Sequence, residues 1–139
     1  MRMRKPIVAT KFLAWKSKIV GFKVGGYAFF PWIFINKECP TNKLGKKYWN
    51  KTVNHESIHW YQNVEMGWIF FLAWYGIEYL IRRFIGGASH YVAYRNVVFE
   101  REAYDKAWIV DYLSLERSWY AWINYYGSEY EYKEKDKAS

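Results

Sequence analysis

Cysteine is almost missing from this chain of 139 residues, in which Cys39 stands alone. That excludes an intramolecular disulfide and any Cys-x-x-Cys zinc ribbon. Long apolar runs are missing too. The strongest, Trp68 to Ile81, covers fourteen residues with Glu78 inside it and Arg82 and Arg83 closing it. A membrane-spanning helix needs roughly 20 such residues, so this run is read as a buried or interfacial helix. Its aromatics and basic pair also suit membrane-surface contact through residues 68–85. The apolar stretches near the start are broken by Lys16, Lys18 and Lys23 and do not read as a signal peptide. The compartment is left open between cytoplasmic and peripheral to a membrane. No internal repeat, ribonucleoprotein signature, finger or helix-turn-helix pattern is present, which disfavours nucleic acid as a partner.

Acidic residues are outnumbered, thirteen against twenty-one basic ones, for a net charge of +8. The surplus is uneven. Arg2, Arg4, Lys5, Lys11, Lys16, Lys18 and Lys23 load the start, and Lys37, Lys43, Lys46, Lys47 and Lys51 load a second stretch. Aromatic residues are abundant at 23%, with nine Trp and fourteen Tyr. Tyr and Trp favour places that are half apolar and half wet, so cores, membrane headgroup layers and a homodimer interface all fit.

The organisation expected is a basic N-terminal arm over 1–18, a single domain over 19–127, and a charged, disordered tail over 128–139. The fold class expected is mainly α with a small β hairpin. Residues 19–35 are rich in β-branched and aromatic types, punctuated by Gly21 and Gly25–Gly26. They read as strands turning at Gly25–Gly26, with Pro31 holding the second strand to an edge or bulge. Helical spacing takes over from about Lys47, breaks at Gly67, resumes to about Phe84 and ends at Gly86–Gly87. A third helix is expected over Tyr91 to Tyr112, and a short aromatic one over 115–126.

Histidine is scarce, with three in the chain, and two of these stand in His55-Glu56-Ser57-Ile58-His59. Residues four apart on a helix stack one turn above the other. Both imidazoles thus converge on one ion, and Glu56 projects beside it as a general base for water that a zinc ion activates. Average residue frequencies produce this pattern by chance in about one chain of this length in a few hundred. A catalytic zinc takes three protein ligands and keeps a fourth position open. Glu100, Glu102 and His90 are the candidates for the third. Glu100 is favoured, because its side chain would face the first helix while Ala103, one turn on, lets the two helices approach. Glu102 would point about 200° away at 100° per residue.

An HExxH followed by a Glu in an E-x-x-A segment resembles the gluzincin metallopeptidases. The membrane-associated ones are closest, with a third ligand in an E-x-x-A-D pattern. Aligned so, the resemblance implies Glu100 as ligand and Ala103 as the Ala, with Tyr104 where Asp is usual. The chain also resembles a group of small proteins of Bacteroidetes, over residues 27 to about 125. The shared segments are Phe30-Pro31-Trp32-Ile33-Phe34, Asn54 through Gln62, Trp74 through Arg82, and Tyr94-Arg95-Asn96 through Tyr104. Such hosts or their phages would encode it. The implied metal ligands are His55, His59 and Glu100, the implied cofactor is zinc, and Glu56 and Tyr104 are the catalytic candidates. Tyr104, Tyr94 and His90 remain open as the group that steadies an oxyanion. Asn54, Gln62, Glu65 and Asn96 are candidates to brace the ligands. The activity implied is hydrolysis of a peptide or protein substrate, with residues 27–35 as the one segment that could align it. The alternative is a non-catalytic protein in which zinc staples two helices.

Overall fold

The computed structural model describes residues 6–8, 25–36 and 43–130. Most of the basic arm, the proposed strand over 19–24, and the tail beyond Tyr130 lie outside them. The architecture is mainly α with a small β hairpin, as the periodicity predicts. Strands β1 (Ile7–Val8), β2 (Gly26–Phe29) and β3 (Trp32–Ile35) are followed by helix α1 (Lys43–Met66) and helix α2 (Trp68–Leu80). A π turn extends α2 over Ile81–Ile85. Helices α3 (His90–Asn96) and α4 (Val98–Lys106) come next, then a π turn at Tyr112–Glu116 and a 3-10 turn at Ala121–Tyr125.

The hairpin differs from the sequence expectation. Its turn is Phe30–Pro31, joined by a cis peptide, and not Gly25–Gly26. Gly26 instead opens β2, opposite Ile35. Pro31 lies in the turn, where its missing N–H costs no ladder bond. It therefore does not push β3 outward, and β3 is the central strand, flanked antiparallel by β2 and parallel by β1. Ile7 and Val8, read as part of the arm, supply that parallel partner. Ala28, Ile33 and Ile35 point down onto Trp60 of α1, whose indole donates to the Pro31 carbonyl at 3.2 Å.

Helix α1 thus has one face under the sheet. Its opposite side meets α4, where Ile58 and Ala103 are both fully buried in one cluster with Tyr112. A methyl side chain at 103 lets the two helix axes come close. Gly67, at φ 79, turns the chain between α1 and α2. Gly87 takes a positive φ of 68 beyond α2, as a helix-ending glycine does.

The single helix expected over Tyr91 to Tyr112 is two helices. The break is Val97, extended at φ −56, ψ 129. Its cause lies in α2: the Glu78 carboxylate accepts the Val98 N–H at 3.1 Å. A side chain from another element supplies the acceptor that a new helix start lacks. Val97, Val98 and Phe99 then drop together into a core with Phe71 and Trp122. The last aromatic helix is reduced to the 3-10 turn. Tyr130, in the expected tail, exchanges hydrogen bonds with the Asn96 side chain.

Candidate metal centre

On α1, His55 and His59 stand one turn apart, with their rings edge to face at a centroid distance of 4.8 Å. Their Nε2 atoms are 3.1 Å apart. Glu100, in the first turn of α4, faces both. Its Oε2 lies 3.1 Å from His55 Nε2 and its Oε1 3.2 Å from His59 Nε2. Glu102, two positions on, points elsewhere, and His90 pairs with Tyr79 at 2.5 Å. Among the described residues, the metal-ligating cluster is His55, His59 and Glu100.

The chemistry of this set fits an ion. A tetrahedral metal with bonds of about 2.0–2.1 Å holds neighbouring ligand atoms about 3.3–3.4 Å apart; here the two Nε2 atoms are 3.1 Å apart, and each lies 3.1–3.2 Å from one of the two Glu100 oxygens. All three residues are buried, at 7%, 6% and 4% exposed. The Glu100 Oε2 atom makes no well-formed hydrogen bond. Burying a carboxylate oxygen without such a bond is costly, and a cation removes the cost. The His55–His59–Glu100 group can therefore bind a metal ion.

The tautomer of His59 is fixed by its neighbours. The Gln62 amide nitrogen donates to Glu102 Oε2 at 2.8 Å and to the Phe99 carbonyl at 3.2 Å. That orients the amide oxygen toward His59 Nδ1, 2.8 Å away. An amide oxygen only accepts, so Nδ1 carries a hydrogen, which leaves Nε2 as the nitrogen that would take a metal. Glu102 is itself held. It accepts from Tyr112 at 3.0 Å and from Arg117 Nε at 2.6 Å. The Arg117 guanidinium also pairs with Glu65 of α1. This set of buried side chains, Glu65, Arg117, Glu102 and Gln62, ties α1, α4 and the segment after the Tyr112–Glu116 turn to one imidazole.

Three phenols surround the Glu100 side. Tyr75 of α2 donates to Glu100 Oε1 at 2.7 Å. The Tyr104 ring packs against His55 at a centroid distance of 4.6 Å, and its hydroxyl meets that of Tyr94 at 3.2 Å. The Arg95 guanidinium caps the Tyr104 ring at 3.5 Å. Tyr104 thus packs edge to face on the His55 imidazole. Burial, then the Glu100 charge, pushes its hydroxyl up to about 12, so it stays protonated and able to donate. The same causes push Tyr75 and Tyr94 well above the usual phenol range. Burial pulls both imidazoles down. His55 falls to about 4, whereas the Glu100 carboxylate reverses the effect at His59 and raises it to about 9.

Glu56 is buried between α1 and the start of β2. A Cβ on Gly26 would lie 2.7 Å from Glu56 Cγ and 2.8 Å from its Oε1, so only glycine leaves the carboxylate its place. Burial, then the Glu56 charge, raises the Tyr27 hydroxyl. Of the remaining bracing candidates, Asn54 donates to the Ala107 carbonyl at 3.2 Å, and the Asn96 side chain bonds to Val92 and Tyr130. Tyr75 has no local sequence signal: it lies in an apolar helix, and only its contact with Glu100 gives it a role. Comparison with protein-family models, curated proteins and solved structures finds no match.

Proposed function

We propose that the protein is a zinc-dependent hydrolase, a minimal gluzincin-like metallopeptidase. The observation that carries this is the convergence of two imidazole nitrogens and one carboxylate at mutual distances of 3.1–3.2 Å, with a second carboxylate, Glu56, following the first ligand on the same helix. Nitrogen and oxygen donors in a His-His-Glu set suit zinc. When bound, zinc supplies Lewis-acid activation of water and of a substrate carbonyl. Glu56 receives the proton that the attacking water loses and returns it to the leaving amine. The protonated Tyr104 hydroxyl is a donor for the developing oxyanion. Strand β2 is the outer strand of the sheet, with no further strand beside it among the described residues, and it begins against Glu56. An extended peptide can pair along such an edge.

The test is Glu56→Gln with metal analysis and peptide hydrolysis measured together. One zinc per chain is expected in both forms, with turnover lost in the variant by at least about a hundredfold. Unchanged hydrolysis would remove Glu56 from the mechanism. A second reading, zinc as a staple without catalysis, is favoured by the burial of all three ligands. In that case chelation unfolds the domain and no peptide is cleaved.

A further inference from the structure

We infer that Tyr75 is a positioning residue of the metal centre: its hydroxyl confines Glu100 to binding through Oε2 alone, and so keeps the fourth position of the ion open. This role rests on the zinc reading above, though not on what the substrate is. Helix α2 is placed for it by its contacts with α4. Residues four apart share a helix face, and Phe71, Tyr75 and Tyr79 lie on the inner one. Phe71 sits in the core, and the Tyr79 hydroxyl meets His90. Between them, the Tyr75 ring lies nearly parallel to Phe99, at 13° and a centroid distance of 6.4 Å, and is tilted against Phe71 at 6.0 Å. Glu78 fixes the register of the two helices by accepting the Val98 N–H, two residues before Glu100. The phenol therefore ends at the carboxylate, where it donates to Oε1 at 2.7 Å.

Without that bond the two oxygens of Glu100 are alike. Oε2 lies 3.1 Å from His55 Nε2, and Oε1 lies 3.2 Å from His59 Nε2. A carboxylate that faces two imidazoles so evenly is disposed to chelate an ion with both oxygens. Chelation would fill the position that a catalytic centre keeps for water. Among the described residues, Tyr75 supplies the one hydrogen bond that Glu100 accepts from outside the two imidazoles. A phenol donates a single hydrogen, and an ionised carboxylate only accepts. The bond draws charge from Oε1 and pins it toward α2, which makes Oε1 the poorer donor to a cation. Oε2, buried and without a well-formed hydrogen bond, is the better one. One hydroxyl, on a residue that is not a ligand, thus separates an open centre from a closed one of the structural kind.

The test compares the full chain with Tyr75→Phe, which keeps the ring and its packing, and with Tyr79→Phe, which removes a hydroxyl one turn further along the same face. Each is loaded with cobalt(II), whose visible bands are strong in a four-coordinate site and become weaker and shift to shorter wavelength in a five-coordinate one. The parent and Tyr79→Phe should show the strong bands, and Tyr75→Phe the weaker, shifted ones. Difference infrared spectra of the parent, zinc-loaded against metal-free, read the same point without any variant. The two carboxylate stretches stand far apart when one oxygen binds and close together when both do. Close stretches in the parent would overturn the inference. So would a Tyr75→Phe cobalt spectrum equal to the parent's, or an equal shift in Tyr79→Phe, which would mark a general loosening of α2. A parent that takes up neither metal would remove the centre and this role with it, whereas uptake with no effect at Tyr75 would leave the centre standing and remove the role alone.

Discussion

Gly26→Ala tests how tightly Glu56, the proposed base, is held by the sheet without touching any ligand. The added Cβ would sit 2.7 Å from Glu56 Cγ, and ordinary contact begins near 3.4 Å, so the side chain must retreat by about 0.7 Å. Displacements near 1 Å in a catalytic group cost about a hundredfold in rate, so turnover should fall ten- to a hundredfold. Stability should change little. Overpacking costs about 1–3 kcal/mol, and loss of glycine freedom in the unfolded chain offsets about 0.4–1 kcal/mol. The net is about 0–2.6 kcal/mol, or a melting temperature lower by at most about 10 °C. Zinc content by mass spectrometry, melting by circular dichroism, and hydrolysis of a quenched peptide library measure all three. The double variant with Glu56→Gln should lose nothing further. Full turnover with zinc retained would refute the placement of Glu56 as base, and loss of zinc would show that Gly26 supports the ligands instead.

Gln62→Leu removes the acceptor that sets the His59 tautomer and should weaken zinc affinity by about 10- to 100-fold; competition with a chromophoric chelator reads this, and an unchanged Kd would dismiss the relay. Arg117→Met leaves Glu65 and Glu102 buried without their shared cation and should cost about 3–5 kcal/mol. Urea denaturation measures that loss, and a midpoint equal to the parent's would mean the carboxylates find other partners.

Local periodicity carries the helices and the spacing of His55 and His59, because both repeat every turn. Glu100 was legible because one side of α4 had to face α1 and Ala103 marked which. Sequence pattern puts the hairpin turn at the wrong place because glycine serves close approach to Glu56 and not chain reversal, a need visible only once α1 lies beneath β2. The break at Val97 follows from Glu78, twenty positions earlier in sequence. A lone carboxylate in an apolar helix signals that something must pair with it, but not what. The Arg117 pairs with Glu65 and Glu102 span 52 and 15 residues, and no periodic pattern links such positions.

That Arg117 set has a thermodynamic consequence. Glu102 and Glu65 are buried on α4 and α1, while Arg117 belongs to the segment leading into the 3-10 turn, whose Tyr120 N–H also bonds to Glu65 at 3.0 Å. If that segment peels away by local opening, Glu102 loses its cation, and Gln62 keeps its bonds to α4 but loses the brace behind one of them, so the hold on His59 loosens. Opening and metal affinity are therefore linked, and linkage is reciprocal. An ion at the centre would slow amide exchange in the chain around residues 117–126, with no contact between the two.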